Sequence, residues 1–439
     1  MLGMTRISTS ILAAIVACAP AAHAAKWKYE TKLSLNPRYY PEDIGEGTTQ
    51  TETPIIFEPT VSAKVSSALR FRFTPYLYSD PASPSRGEKF FADATEANME
   101  VRFGDSSVSL GLNQIAWGAT DIYNPLDVVS PRRYFDPLNS DKRSVPSVLF
   151  THESGDWRWE ALYIPVQLPS ILPGENSRWL PRDVSLTRSE TPMRIVLPTD
   201  LRYHYDEPRE IDGALHHNFG GRVEIRKSGV DLSAIFFQGA PTTPSIMPIV
   251  TGLVDWPDDD AADTFTVDPD VRLRPDYYLR RTAGASAVFT IDTAIVRFAA
   301  AASDKVTNDP NVPGWSQSAV LGFEHNMSVG SATLTALLQG TYARHEQNAD
   351  NSVTSVDRIF DRSFLLGFRL ATSTEWVVTL AGLHESVSKG NLLQFKAEKK
   401  IADGLTGSII GEAIEAPSNT TMGSFERNDR VGLGLSFFF

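Results

Sequence analysis

The last ten residues of the chain alternate between apolar positions and mostly small ones. Residues 430–439 spell RVGLGLSFFF, and one apolar set recurs at every second position: Val431, Leu433, Leu435, Phe437 and Phe439. Successive side chains of a β-strand point to opposite faces of a sheet, so these five share a face. The pattern predicts a strand with one strongly apolar face and an aromatic residue at its end.

The same two-residue period recurs along the chain, with charges opposite the apolar face. The clearest segments are residues 69–76, 97–103, 221–226, 364–370 and 393–398. Two structures produce such a pattern: a soluble sandwich with charges toward solvent, or a transmembrane barrel with charges toward a water-filled lumen. In the barrel, the predicted lumen-facing residues are Arg70, Arg72, Glu100, Arg102, Arg222, Glu224, Arg226 and Arg369.

The number of strand-like segments favours the barrel. Lipid offers no hydrogen-bond partner to a free N–H or C=O group, so a sheet that spans a membrane must close on itself. Roughly 14 to 18 segments of about ten residues occur, which is the length that crosses a bilayer at a tilt. We therefore predict an all-β fold, a single closed antiparallel transmembrane barrel over residues 25–439.

A charged, proline-containing segment interrupts the strands at residues 117–145. Loops longer than about 12 to 15 residues are usually functional or disordered, and its aromatic and aliphatic residues argue against disorder. We expect it to fold into the lumen as a plug or constriction, or else to cover the barrel mouth. A second long segment, residues 165–193, is expected outside the membrane and is a candidate to pack on the first.

The charges of these two segments are candidate pore residues. Aspartates lie among arginines and lysines, so ion pairs between them would hold the segment in one conformation. A guanidinium left over from pairing would attract an anionic solute. The predicted constriction residues are Asp121, Asn124, Asp127, Arg132, Arg133, Asp136, Arg143, Arg178 and Arg182.

Residues 1–24 have the features of an export signal. Arg6 supplies positive charge, residues 11–19 are apolar, and Ala22-His23-Ala24 matches a small-residue cleavage site. Cys18, the only cysteine, offers a lipoprotein-type cleavage as the alternative. Either cleavage exports the protein, and cleavage after Ala24 leaves a chain without disulfides.

Charge and motif content exclude several other classes. The chain has 41 basic and 53 acidic residues, a formal charge of -12, which argues against nucleic-acid binding. After the leader no run of about 18 apolar residues occurs, so no transmembrane helix is expected. The sequence contains neither G-x-S-x-G nor H-E-x-x-H. We therefore predict no enzyme activity, no metal site and no cofactor.

Two stretches resemble bacterial outer-membrane proteins. The terminal strand is similar to the last strand of outer-membrane barrels, in which the final Phe belongs to the insertion signal, and this makes 431, 433, 435, 437 and 439 insertion-signal positions. WG…NPLDV…R, followed by LPS…LP…W.PRD, resembles uncharacterised porin-like barrels, some of them linked to export or uptake of hydrophobic or polymeric compounds. The resemblance covers residues 117–183 and the terminal strand. It implies an outer-membrane location, contact with lipid and lipopolysaccharide, and insertion by the barrel-assembly machinery.

These patterns favour an outer-membrane porin or channel through which small or amphiphilic solutes diffuse. The loop that carries Arg132 and Arg133 would shape its pore. The alternative is a non-conducting barrel that anchors a partner or surface material. An outer-membrane hydrolase ranks last, because the catalytic motifs are missing.

Overall fold

The structure is a computed structural model. It describes residues 25–439 except residues 46, 121, 181–184, 188–193, 197–202, 256–263, 347–359, 388, 418–419 and 421. The predicted leader and its cleavage site lie outside these residues. So do two of the predicted constriction residues, Asp121 and Arg182.

Nearly all regular structure is β. The strands in chain order are β1 (Lys26–Leu35), β2 (Arg38–Tyr39), β3 (Thr51–Glu52), β4 (Ile55–Lys64), β5 (Leu69–Ser79), β6 (Phe91–Phe103), β7 (Ser106–Asn113), β8 (Arg132–Arg133), β9 (Asp141–Lys142), β10 (Val145–Ser154), β11 (Trp157–Val166), β12 (Ser185–Thr187), β13 (Arg194–Val196), β14 (Tyr203–Tyr205), β15 (Arg209–Glu210), β16 (His216–Lys227), β17 (Val230–Gly239), β18 (Ser245–Asp255), β19 (Thr264–Tyr277), β20 (Arg280–Ile291), β21 (Ala294–Lys305), β22 (Ser316–Val329), β23 (Ala332–His345), β24 (Ser363–Ala371), β25 (Trp376–Glu385), β26 (Gly390–Ala402), β27 (Leu405–Glu415) and β28 (Arg430–Phe438). A short helix, α1 (Arg86–Lys89), and 3-10 turns at Pro137–Asn139 and Gly423–Asn428 complete the elements.

Eighteen of these strands form a closed antiparallel barrel, which confirms the predicted fold class at the upper end of the expected strand number. The wall contains every strand except β2, β3, β8, β9, β12–β15, β18 and β19. β1 closes the ring against β28, with Leu33 opposite Phe437. The backbones of Thr31 and Phe439 exchange hydrogen bonds of 2.6 and 3.1 Å at this seam. The closed ring gives the wall backbone the partners that lipid cannot supply.

The outward face of the wall is apolar. On β28, the side chains of Val431, Leu433, Leu435 and Phe437 are 56, 60, 38 and 36% exposed, and Phe439 beyond the strand is 73% exposed. The same outward exposure occurs around the ring, for example at Phe150, Phe219, Phe236, Phe298, Leu321, Phe323, Phe364, Leu366, Phe368 and Phe395. A continuous apolar surface of this kind fits contact with lipid rather than with water. The soluble-sandwich alternative therefore does not describe this chain.

The two ends of the barrel differ in their connections. Two-residue turns such as residues 155–156 and 228–229 lie at one end, together with both ends of the described chain. Long connections such as residues 114–144 and 167–215 lie at the other end. In outer-membrane barrels short turns face the periplasm and long loops face outward. We assign the two ends accordingly.

The long connections carry a second, smaller sheet. In it β18 and β19 pair antiparallel from Ser245 opposite Asp276, and β13, β14 and β15 pair with β19 in parallel. No helix among the described residues is both long and apolar enough to cross a membrane.

Candidate functional site

The connection between β7 and β10 turns into the barrel. Its residues Trp117, Leu126 and Val129 are 1, 0 and 1% exposed. They share one apolar cluster with inward side chains of β11, β17, β21 and β22, namely Leu162, Ile164, Ile235, Phe237, Ala299, Ala301 and Val320. Trp117 also donates from Nε1 to Glu160 of β11 at 3.0 Å. This part of the segment therefore lies against one side of the lumen.

Two residues of the WG…NP stretch fix the course of the segment where it enters the barrel. Gly118 has φ +93°, and an added Cβ would lie 2.2 Å from Oδ1 of Asn124. Asn124 donates from Nδ2 to the Trp117 carbonyl at 2.7 Å, and its Oδ1 accepts from the Leu126 amide at 3.1 Å. Glycine adopts this backbone conformation without steric cost. The turn therefore requires glycine at 118 and a short amide at 124.

The same segment is anchored across the barrel by Asp136. Its Oδ2 lies 2.5 Å from Arg38 and 2.9 Å from Arg430, the first residue of β28. Burial by itself raises the pKa of the Asp136 carboxyl, but Arg430 and Arg38 outweigh burial and lower it to about 2. Asn139 donates to Glu412 of β27 at 3.3 Å. The segment thus contacts the wall on both sides of the lumen.

Arg133 and Arg143 connect the segment to a third part of the wall, strand β6. Both bind Oδ2 of Asp93 on β6, at 3.1 and 2.8 Å. The Arg133 guanidinium also stacks over the ring of Tyr76 at 3.9 Å, and Arg133 is only 2% exposed. Both arginine side chains are buried in these contacts, so Arg133 does not present its guanidinium to the open lumen as the sequence suggested.

Arg132 differs from Arg133 because it reaches the open part of the lumen. Its Nη2 binds Asp127 at 2.7 Å, and Lys142 binds the other Asp127 oxygen at 2.8 Å. The Arg132 side chain remains 30% exposed, whereas that of Asp127 is 6% exposed. Two cations therefore share one carboxylate here.

The chain that follows β11 packs on the connection between β7 and β10, as its composition suggested. The Ile171 amide donates to the Arg132 carbonyl at 2.8 Å, and the Tyr134 amide donates to the Ile171 carbonyl at 2.7 Å. Further along, Arg178 is 3% exposed and stacks over the ring of Tyr40 at 3.7 Å. Its guanidinium donates to backbone carbonyls and to Asn428, at 2.7 to 3.2 Å. Burial lowers the pKa of Arg178. Its hydrogen bonds connect the backbone at residues 42 and 49 to that at residue 427, and it does not line the cavity.

A cavity of about 460 Å³ lies between residues 122–140 and the opposite wall. Ser316 and His345, at the long-loop ends of β22 and β23, line it, so the cavity lies in the outer half of the lumen. One side carries Asn124, Asp127, Arg132 and Asn139, and the other carries Leu365, Leu383 and Leu392 of β24–β26. Of the predicted constriction residues within the described chain, Asn124, Asp127 and Arg132 line this cavity.

The charges predicted to face the lumen alternate with the outward apolar positions of their strands. They are Arg70, Arg72, Glu100, Arg102, Arg222, Glu224, Arg226 and Arg369. Most have partners on the same face: Arg102 binds Glu100 at 2.6 Å, and Arg222 and Arg158 both bind Glu160, at 2.8 and 2.9 Å. Pairing of this kind reduces the cost of holding charges inside a barrel.

Sequence reasoning missed the wall partners of the segment. Asp93, Glu160, Glu412 and Arg430 occupy inward strand positions and hold it in place. Their only sequence signal was charge on the polar face of a strand. That signal does not distinguish a residue that binds a loop from one that contacts water. The described residues contain no group of three or more His, Cys, Asp or Glu placed to hold a metal ion.

No protein-family model matches the sequence. No curated protein matches it either.

Solved structures share the fold at very low sequence identity. OccAB1 of Acinetobacter baumannii superposes with a TM-score of 0.52 at 8% identity, covering 94% of this chain and 96% of that one. OccK3 (OpdO) of Pseudomonas aeruginosa gives 0.51 at 9% identity, covering 95 and 96%. OccK5 (OpdH) of the same species gives 0.50 at 10% identity, covering 95 and 98%. Together with the closed ring and its apolar outer face, these matches show that the chain has the fold of outer-membrane β-barrels.

Proposed function

We propose that the protein is a channel for the diffusion of small or amphiphilic solutes across the outer membrane. The proposal rests on the cavity of about 460 Å³ beside the inward-folded segment, the connection of residues 114–144 between β7 and β10. Its polar side includes Arg132 and Asn139, and its apolar side includes Leu365 and Leu383. A solute with a polar group and an apolar body can satisfy both sides.

The inward-folded segment acts as the constriction in this proposal. Its apolar half, around Trp117 and Leu126, packs against β11, β17, β21 and β22. Solutes would therefore pass on the opposite side, along β24–β26. Arg132 and Arg280 line the cavity together with Asp127 and Asp361, so the loss of one arginine would change the charge balance that a passing solute meets.

The proposal also holds that the barrel is not an enzyme. His345 and Asp361 line the cavity and lie 2.9 Å apart, which resembles part of a hydrolase triad. A triad needs a nucleophile hydrogen-bonded to the histidine. Ser316 lies opposite His345 in the sheet register, yet no described hydroxyl makes a hydrogen bond to the His345 ring. This supports a wall role for the pair.

Planar-bilayer recording of the refolded protein tests the proposal, with Arg132→Gln and Arg133→Gln compared. We expect ion conductance from the wild type. We expect Arg132→Gln to shift the reversal potential in a salt gradient toward cation preference, because positive charge is lost at the cavity. Arg133→Gln should instead lower the free energy of unfolding by about 1.5–3 kcal/mol, because it removes a buried charge-assisted hydrogen bond to Asp93 and the stacking on Tyr76, while Asp93 keeps Arg143.

Absence of conductance from correctly folded wild-type protein would contradict the channel and favour a non-conducting anchoring barrel. Folding is checked by heat-modifiable migration on a gel. Selectivity that is the same in Arg132→Gln and wild type would contradict the assignment of the constriction.

A further inference from the structure

Two arginines lie side by side on the outward face of the barrel, at its outer rim. Arg344, near the end of β23, and Arg362, just before β24, are both exposed. They share the outward strand positions with Tyr342 and Phe364, which are 51 and 52% exposed. The pair therefore faces the surroundings of the barrel and not its lumen.

The register of the strands sets the spacing of the two arginines. Gly340 lies opposite Phe364, and the Ala343 amide donates to the Asp361 carbonyl at 2.5 Å. Continuing this register places Tyr342 opposite Arg362, with Arg344 as the diagonal neighbour. Diagonal β-carbons on one face of a sheet are roughly 7–8 Å apart. Two long guanidinium side chains at that spacing can reach a common anion.

Aromatic rings support both guanidinium groups. The Arg362 guanidinium lies 5.6 Å from the centre of the Tyr342 ring, and that of Arg344 lies 5.5 Å from the Trp315 ring. Both distances are within the range of a cation–π contact. Such stacking leaves the N–H donors at the guanidinium edge available for a ligand.

The two described carboxylates next to these arginines in the chain, Asp361 and Glu346, do not pair with them. Asp361 points inward and binds His345 at 2.9 Å. The Glu346 side chain lies across Gly314, where an added Cβ would be 1.5 Å from its Oε2. Among the described residues, no carboxylate forms an ion pair with Arg344 or Arg362. The described part of this rim therefore carries two arginines and no carboxylate paired with them.

The arginines are continuous with the lipid-facing surface. Leu366, two positions beyond Phe364 on β24, is 42% exposed, and Leu321 on the neighbouring β22 is 59% exposed. The long connections lie at this end, so the rim belongs to the outer leaflet. An anion held here would be attached to an apolar body that lies against these side chains.

We propose that Arg344 and Arg362 form a binding site for the phosphorylated headgroup of an outer-leaflet glycolipid. Each guanidinium group can donate two parallel hydrogen bonds to the oxygens of a phosphate group. The acyl chains of the same lipid lie against the apolar side chains below. The site is on the outside of the barrel, so it is independent of the proposed channel.

Native mass spectrometry of the detergent-purified barrel tests this site, with diphosphoryl lipid A and dephosphorylated lipid A as probes. The double variant Arg344→Gln/Arg362→Gln is compared with wild type and with Arg281→Gln. Arg281 is a matched control: it is exposed and outward-facing at the same end, but it donates to Gln238 at 2.9 Å and lies opposite Asp304. Heat-modifiable migration confirms that each variant folds.

We expect diphosphoryl lipid A to bind wild type and Arg281→Gln alike, and to bind the double variant at least about tenfold more weakly, a loss of about 1.4 kcal/mol. Dephosphorylated lipid A should bind all three proteins equally weakly. The proposal is overturned if the double variant binds the phosphorylated lipid as the wild type does, or if removal of the phosphates leaves wild-type binding unchanged.

Discussion

At the scale of single residues, the inward-folded segment depends on a few buried charges. Asp136 binds Arg38 and Arg430, and the side chains of Asp136 and Arg430 are 8 and 3% exposed. A buried carboxylate between two guanidinium groups remains charged because both partners favour its ionised form. The anchor is therefore permanent across the ordinary range of pH.

The pH dependence of the Asp136 anchor follows from the direction of its shift. The pKa is lowered from 3.8 to about 2, so the unfolded chain binds more protons in that window than the folded one. The stabilisation is complete above about pH 4 and is lost as the pH falls through 2. Unfolding measured by chemical denaturant should show this loss in wild type and not in Asp136→Asn.

At neutral pH, Asp136→Asn should lower the free energy of unfolding by about 1.5–3 kcal/mol, because it weakens two buried charge-assisted hydrogen bonds while Arg38 and Arg430 keep Glu52 and Glu412 as partners. Asp403→Asn, in a fully exposed turn, is the control and should leave stability unchanged. Equal stability of Asp136→Asn and wild type would show that the segment is not held by this charge.

At the scale of elements, the connection between β5 and β6 contacts the segment after β11 that packs on the inward-folded segment. Glu88 of α1 accepts from the Gly174 amide at 2.6 Å and from Ser83 at 2.8 Å. Three residues before Gly174, Ile171 bonds the backbone of residues 132–134. Glu88 is therefore linked to the predicted pore residue Arg132 through residues 171–174, which bind Glu88 at one end and the Arg132 carbonyl at the other.

Burial raises the pKa of Glu88 from 4.5 to about 7, despite the two hydrogen bonds that it accepts. The folded protein thus binds more protons than the unfolded chain between these values. Its contribution to stability is full below about pH 4.5 and is lost as the pH rises through 7. Glu88→Gln should remove this component, on the order of 3 kcal/mol, from the difference in unfolding free energy between pH 4.5 and pH 8.

Denaturant unfolding at both pH values measures that difference. Glu175→Gln, which alters a half-exposed carboxylate of the neighbouring segment, should leave the wild-type pH dependence in place. A wild-type pH dependence that survives in Glu88→Gln would show that another group is responsible.

The elements also show what the sequence could predict. The strands at residues 364–370 and 430–439 were evident because lipid on one side and water on the other impose a period of two. The burial of Arg133 was not evident. Its partner Asp93 lies 40 positions away on β6, and only the closed wall brings the two together. Local pattern predicts which face a strand residue occupies, but not which loop charge meets it.

At the scale of the whole molecule, the barrel separates two solvents. Leu433 on β28 is 60% exposed toward lipid, whereas Ser408 on the neighbouring β27 occupies an inward position opposite Gly434. A charge on the lipid side loses its hydration, but a charge in the lumen keeps it. The two faces of one strand pair should therefore tolerate charge very differently.

Leu433→Arg should destabilise the barrel by about 2–4 kcal/mol, the typical cost of arginine near the bilayer midplane. Ser408→Arg should change stability little, since it faces the lumen opposite Glu398 on β26. Unfolding in lipid vesicles by guanidinium measures both. Equal costs for the two substitutions would contradict the assignment of the lipid-facing side.

In the proposed channel, residues 117–145 narrow a pore that is otherwise open through the barrel. Asn113 and Val145 pair directly at the ends of β7 and β10, so a four-residue Gly-Ser linker can replace residues 114–144 without moving either strand. The single-channel conductance of this variant in a planar bilayer, beside that of wild type, is the most direct test. We expect a conductance several-fold above that of wild type from a correctly folded barrel. A folded variant whose conductance equals that of wild type would contradict this proposal.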